Sequence, residues 1–499
     1  MAPVLPHILL LVTDQFRLDA FTPLVTPNLF SLSTSSTVFT SAYASTPTCT
    51  PSRAGLLTGK SPWAHGMLGY ADDISCTEYP TTMPQVLDDA GYTTYCSGKN
   101  HFGSLGNDTF VTQGYQTEQI YDGLGGGIPG DTNTDPDDYN IWFGEQMPGV
   151  DPKATCNIGW NDWRACPYSF EEYLHPTSWT TERALEYIDS HDFQADPMFL
   201  KLSYHRPHSP YDPPARLFDK HLNGTVPERL INETSWDAKY YKPSNLMDTF
   251  DWMGDPGKEA ARNTRAGYLA NVEFVDEGVG TVLDSLKAKG VMDDFLIIWA
   301  TDHGDMNGDH YLWRKGYPWE ASSHVPLVIR TPGGSEVKES DAIVEVRDVT
   351  ATIYDVAGVL DSVHAADPLM NGQSVLPIMR GDEDKVRDHL DLEHSQVYNA
   401  TIHWNAIVGD DEETGGRYKF IFNAFEGTEQ LFDLREDPGE AVDLVLWGGE
   451  DVQDGVLKRF RQIMVKQFED EGRGDDWVKD GELMVRKGNV VFGANYPCA

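Results

Sequence analysis

The chain has 499 residues, of which 40% are hydrophobic and 13 are Trp, enough to bury one large domain with a smaller companion or two to three ordinary ones. Its 78 acidic against 38 basic residues leave a net charge of −40, which repels nucleic acid and anionic membrane and excludes both as partners. The balance reads first as a solvated acidic surface, so a site for an anionic substrate has to be locally positive.

Met1 to His7 shows no basic n-region and no small-residue cleavage site, and the apolar run at 8–12 is too short to span a membrane. The chain as given reads as cytoplasmic, and as secreted if it is a processed form. Residues 8–13 read as a fully buried strand that ends in Asp14 and Gln15. Polar groups at the C-terminal end of a parallel strand are placed to line a site, or to cap a helix. Next comes Thr46-Pro-Thr-Cys49-Thr-Pro-Ser-Arg53-Ala-Gly-Leu-Leu-Thr58-Gly59, with Pro51 suited to the first turn of a helix and Cys49 at its start. Unpaired N–H groups and the positive helix end favour a thiolate or a tetrahedral anion there, and Arg53 adds a forked cation. Taken alone, such a cysteine is as a rule a buried structural one.

Residues 83–90 read as a helix closed by Gly91, and 92–96 as a strand leading to Gly98-Lys99-Asn-His101-Phe-Gly103. Residues 104–177 are rich in Gly, Asp, Asn and Pro, carry Gly125-Gly126-Gly127, and read as a mobile insertion at the mouth of a pocket. The six cysteines are too few for a disulfide scaffold; Cys156 and Cys166 flank an irregular stretch and are a candidate pair. A helix at 181–190 and a strand at 198–204 lead into His205-Arg-Pro-His208-Ser-Pro, a loop that its prolines hold rigid. Helical periodicity runs over 264–290, and 295–300 is a buried strand ending in Thr301-Asp302-His303-Gly-Asp305, where Asp305 reads as a loop-capping carboxylate. The segment that carries Arg314 and Lys315 precedes a strand at 325–329 and a helix at 347–359. Past a boundary at 377–384, short strands at 406–408, 418–422 and 430–433 and a helix at 456–469 make a small antiparallel unit, while 470–499 carry no readable element. Asp14, Gln15, Asp302 and His303, each just past a strand end, make an oxygen-dominated set with one imidazole. It suits a hard divalent cation, Ca²⁺ first, then Mg²⁺ or Mn²⁺.

Cys49-x-Pro-Ser-Arg53, a small residue and then Gly-Leu-Leu-Thr-Gly resembles the signature of the type I sulfatases. Gly98-Lys99-x-His101-x-Gly103, Pro207-His208-x-Pro210, Asp302-His303, the Lys315 segment and Leu431-Phe-Asp-Leu-Arg-Glu-Asp-Pro-Gly-Glu440 are similar to further segments of that family. The resemblance runs from about residue 7 to about residue 445, with gaps at 104–177 and in parts of 209–262. It implies an alkaline-phosphatase-like α/β fold, a mixed sheet sandwiched between helices, with a catalytic domain at 1–378 and a small C-terminal α+β domain with an antiparallel sheet at 379–499. It also implies hydrolysis of a small-molecule or carbohydrate sulfate ester, arylsulfatase-like or choline-sulfatase-like.

By this resemblance, a formylglycine-generating enzyme converts Cys49 to Cα-formylglycine (3-oxoalanine), whose hydrate is the nucleophile. The metal ligands are then Asp14, Gln15, Cys49, Asp302 and His303. Lys99 and Lys315 contact the sulfate, Arg53 adds charge stabilisation, His101 assists the hydrate, and His208 with Lys315 protonates the departing alcohol. The pair Asp14-Gln15 departs from the family's common Asp-Asp and resembles the phosphonate monoester hydrolase and choline sulfatase branches. Two alternatives stay open: a phosphonate monoester or phosphodiester hydrolase with the same nucleophile, and an acidic binding protein on a dead sulfatase scaffold.

Overall fold

The structure, a computed structural model, describes residues 5–103, 111–123, 137–152, 158–159, 161–231, 236–396, 398–399 and 401–498. Eight strands form one mixed sheet: β1 (His7–Asp14), β2 (Thr37–Tyr43), β3 (Thr93–Gly98), β4 (Thr117–Ile120), β5 (Met198–Pro207), β6 (Phe295–Thr301), β7 (His324–Arg330) and β8 (Glu339–Glu345). Their order is β4-β3-β5-β1-β6-β7-β2-β8. The first five are mutually parallel, β7 runs antiparallel to both its neighbours, and β2 and β8 are parallel to each other.

The alternation along β1 explains why helices cover both faces. Ile8, Leu10 and Val12 pack with the helices Cys49–Thr58, Met83–Asp89 and Val346–Val356, while Leu9 and Leu11 pack with Pro27–Ser33, Pro176–Ser190 and Lys258–Lys289. All five are buried, and each such side chain stabilises the fold by about 1.5–3 kcal/mol. The parallel register aligns the C-terminal ends of the central strands: Thr13 pairs with Tyr204 and with Thr301, and Gly98 with Ser203. Whatever follows those positions in the chain is delivered to one edge of the sheet.

A second sheet is an antiparallel meander of β9 (His389–Ser395), β10 (His403–Asp410), β11 (Arg417–Asn423) and β12 (Thr428–Asp433). One face, with Ile407, Phe420, Phe422 and Leu431, packs on the helix Lys458–Asp470. The other, with Leu392, Trp404, Ala406 and Ile421, packs on Leu312, Tyr317 and Trp319 of the main body. Trp404 Nε1 donates to the Gly316 carbonyl at 3.0 Å, and Thr48 Oγ1 lies 2.9 Å from His394 Nε2.

Several expectations are corrected. The stretch 104–177 is not wholly irregular: β4 joins the sheet edge and Asp138–Gln146 is a helix capped by Asp137. Its Gly125-Gly126-Gly127 lies outside the described residues, as does Cys156 of the candidate pair. Residues beyond 470 are structured. Leu68 N–H donates to the Val491 carbonyl, Gly493 N–H to the Gly66 carbonyl, and Cys76 bonds to Cys498 across a sequence separation of 422. Gly66, at φ 79°, is required by this strap, because a Cβ there would lie 2.2 Å from the Tyr496 N. Among the described residues, no helix is long and apolar enough to cross a membrane.

Candidate active site

The aligned strand ends bring together nearly every polar side chain singled out in the sequence. Asp14 closes β1, Lys99 and His101 follow β3, His208 follows β5, and Asp302 and His303 follow β6. Cys49 enters from the far side as the first residue of the helix Cys49–Thr58, with Thr48 at the N-cap in an extended conformation and Gly59 at the C-cap in the left-handed region. Lys315 arrives on the loop between β6 and β7, whose Gly316 N–H donates to the Pro47 carbonyl. All of these side chains are buried.

Cys49 is the meeting point. Lys315 Nζ donates to its Sγ at 3.1 Å and Lys99 Nζ at 3.6 Å, while His303 Nε2 lies 3.3 Å and Asp14 Oδ1 3.9 Å away. Burial and the Asp14 carboxylate push the thiol up, but Lys315, Lys99 and His303 outweigh them and bring it down to about 7. The sulfur therefore sits where a negative charge is stabilised, as the start of a helix also favours.

Arg53 is wholly committed to the protein. It donates to Asp302 Oδ2 at 3.0 Å through Nε, to Lys99 O and Ser203 Oγ at 3.0 Å through Nη1, and to Asp14 Oδ2 at 3.2 Å through Nη2. It thus ties four strand ends together and aims two carboxylates. Lys99 Nζ adds a 2.5 Å ion pair with Asp14 Oδ2. Burial works against the charge on Asp14, yet Lys99, Lys315 and Arg53 hold its carboxyl well below the usual carboxylate range.

The ligand-capable atoms of Asp14, Cys49, Asp302 and His303 lie within 4.8 Å of one another. His303 is anchored by a 2.9 Å hydrogen bond between Nδ1 and the Gly304 carbonyl, which turns Nε2 toward this cluster. Two buried carboxylates, an imidazole nitrogen and the Cys49 position fit a hard or borderline divalent ion. Gln15, at φ 66°, is placed differently: its Oε1 accepts Lys315 Nζ at 3.0 Å, and its Nε2 donates to Asp305 Oδ2 at 2.7 Å.

The two histidines differ in their attachments. His208 donates Nδ1–H to the Ser209 carbonyl at 2.7 Å, so its Nε2 is the acceptor of a neutral ring. His101 sits at φ 62°, and both its ring nitrogens are buried without a hydrogen-bond partner among the described residues. Burial lowers both rings below the ordinary histidine value, aided at His101 by Lys99 and at His208 by Lys315. Asp122, which belongs to no motif readable in the chain, holds the turn by accepting the Asn100 and His101 N–H groups at 2.8 Å. Tyr211 and Asp305 were likewise outside the sequence-derived site. Only their pairing with Gln15, 196 and 290 residues away in sequence, reveals them.

Comparison with known proteins agrees with this geometry. A family model described as Sulfatase matches residues 6–359, and one described as N-sulphoglucosamine sulphohydrolase, C-terminal, matches residues 308–467. The chain is 31% identical to an arylsulfatase of Clostridium perfringens, with 96% of this chain and 97% of that protein covered. It is 28% identical to a choline-sulfatase of Rhizobium meliloti, over 93% of this chain and 87% of that protein. Among solved structures, the phosphonate monoester hydrolase of Agrobacterium radiobacter shares the fold at a TM-score of 0.70 and 22% identity, covering 93% of this chain and 96% of that one. With a matched region that spans most of its length and a relative aligned nearly end to end, the chain belongs to the sulfatase family of sulfuric ester hydrolases.

Proposed function

We propose that the protein hydrolyses sulfate monoesters of small alcohols or sugars, using an oxygen nucleophile formed at Cys49. The observation that carries this reading is the buried Cys49 at a helix start, with Lys99, Lys315 and His303 around its Sγ. When present, a Cα-formylglycine at position 49 supplies a hydrated aldehyde as nucleophile, and a divalent ion, Ca²⁺ first among the candidates, supplies Lewis-acid polarisation. Asp14, Asp302 and His303 would hold that ion with position 49, with Gln15 beside them.

The chain's own residues account for the rest. Lys315 and Lys99 place two ammonium groups beside position 49, where the three sulfate oxygens have to be neutralised. Arg53 acts as a positioning residue, because its donors are spent on Asp14, Asp302, Lys99 and Ser203. The departing oxygen takes its proton from Lys315, with His208, its ring fixed by Ser209, giving one only when Nε2 is itself protonated. His101, neutral and with both nitrogens without a partner among the described residues, is suited to taking a proton from the hydrate. The division at 378/379 that the sequence suggests leaves the sulfate-binding groups on the first part and the meander that backs them on the second.

The test is direct. Mass spectrometry of the Cys49 peptide from protein made with a formylglycine-generating enzyme is expected to show the aldehyde, and turnover of 4-nitrophenyl sulfate is expected. Cys49→Ala is expected to remove that turnover by about four orders of magnitude or more while leaving the fold intact. Retained sulfatase activity in that variant would sink the mechanism. A preference for an aryl phosphonate monoester over the aryl sulfate on one preparation would assign the same machinery to the phosphonate reading instead.

A further inference from the structure

Arg314 precedes the sulfate-side Lys315 and is only 5% exposed. Most buried guanidinium groups elsewhere are paired with carboxylates, as Arg17 with Asp309, Arg53 with Asp302, Arg206 with Asp212 and Arg473 with Glu393, while Arg486, over the Trp477 ring and far from the site in the C-terminal tail, has no ion pair among the described residues. Among the described residues no carboxylate lies within ion-pair distance of Arg314. Its Nη2 donates to the Phe250 carbonyl, and its Nε is buried without a partner among the described residues. Its guanidinium carbon lies 5.0 Å from the centre of the Tyr398 ring. The backbone is also held at φ 68°, a left-handed conformation that is costly for a residue with a Cβ. A buried cation without a counter-charge, on strained backbone, is expensive to keep.

Its surroundings locate it on the wall of the active site. The phenols that feel its charge are those of Tyr211, Tyr317 and Tyr398. Tyr211 bonds to the Gln15 amide, and the Lys315 N–H points at the Tyr398 hydroxyl at 3.5 Å. Asp305, the carboxylate on this wall, is already committed to the Tyr211 hydroxyl, the Gln15 amide and the Asn307 N–H. The charge on Arg314 is therefore available to something outside the protein. Arginine is the side chain suited to a planar or tetrahedral oxyanion, and stacking on Tyr398 keeps its fork in one plane.

We propose that Arg314, stacked on Tyr398, is a second anion subsite. It takes an oxyanion carried by the alcohol portion of the substrate while the ester sulfate sits at position 49 between Lys99 and Lys315. The preferred substrate is then a sulfate ester whose leaving group bears a carboxylate or a second sulfate. This rests on the sulfate-ester reading above.

The test compares kcat/KM of the mature, metal-loaded enzyme for phenyl sulfate, 4-carboxyphenyl sulfate and hydroquinone bis-sulfate. The wild type is expected to favour at least one of the two charged esters over phenyl sulfate by about tenfold or more, and which one identifies the oxyanion. Arg314→Ala is expected to cut that ratio about tenfold, with Arg314→Lys between, since it keeps the charge and loses the fork. A ratio unchanged in Arg314→Ala overturns the proposal, as does a wild type that favours phenyl sulfate. Calorimetric binding of 4-sulfobenzoate against benzenesulfonate to the wild type needs neither turnover nor a folded alanine variant. Tighter binding of the dianion supports the subsite, and equal affinity overturns it. Absence of turnover on all three esters would instead count against the sulfate-ester reading, with the binding comparison still deciding the subsite.

Discussion

The Gln15 amide has two ends of opposite hydrogen-bonding sense, and Asp305 decides which end faces which partner. Asp305 Oδ1 accepts the Asn307 N–H at 2.8 Å, the capping role expected of it, while Oδ2 accepts both Gln15 Nε2 at 2.7 Å and the Tyr211 hydroxyl. That leaves Gln15 Oε1 for Lys315. Asp305→Asn offers one acceptor and one NH₂ group, so either the turn at Asn307 or the grip on Gln15 is lost and the amide is free to reverse. Calorimetric titration with Ca²⁺ is expected to show affinity weakened by about tenfold to a hundredfold, a typical effect of disturbing groups behind a metal site. An unchanged affinity would mean that Gln15 is set by Lys315 alone. At this scale the sequence was informative where chemistry clusters in short runs, as at Asp14-Gln15 or Lys99-x-His101. It was silent on Asp122 and Tyr211, whose importance comes from partners far away in the chain.

Strands buried on both faces announce themselves as apolar runs, which is why β1, β5 and β6 were legible. The missed ones have polar content: β4 is Thr-Glu-Gln-Ile at one edge, β8 opens Glu-Ser-Asp at the other, and β2 mixes Thr and Ser into its length. Half-exposed strands have no need of a continuous apolar sequence, and only pairing identifies them. The meander β9–β12 was read without its first strand, yet that strand supplies His394 at the N-cap of the Cys49 helix. Its neighbour β10 supplies Trp404, whose indole N–H satisfies Gly316 O beside Lys315. Trp404→Phe keeps an aromatic ring but leaves that carbonyl buried without its donor, a cost of about 1–3 kcal/mol. The expected outcome is a folded protein whose kcat/KM falls about tenfold as Lys315 loosens from position 49. Steady-state kinetics alongside a thermal melt checks this; equal kcat/KM in the two proteins would show that the Lys315 loop holds itself.

Across the whole molecule, a surface of net charge −40 surrounds a buried site whose cations converge on one sulfur. The long-range term disfavours an anionic substrate and the local term favours it, so binding rests on groups within a few ångströms. The fold is held across its length by the Cys76–Cys498 bond, which ties the tail to the region just after the Cys49 helix. Removing it with Cys498→Ser is expected to lower unfolding stability by about 2–5 kcal/mol, read as a lower urea midpoint than the wild type without reductant. Coincident curves would show that backbone pairing at Leu68 and Gly66 suffices. Such a bond persists only where the surroundings are oxidising, so the strap depends on where the chain resides. The contact between Thr48 and His394 has a temporal side as well. The two residues are 346 positions apart, so at about 5–20 residues per second roughly 20 to 70 seconds of synthesis separate the cysteine from the strand that closes over its helix. For that interval the helix that carries position 49 lacks the strand that backs it, so an enzyme that has to grip the segment as an open peptide acts most readily before the strand arrives.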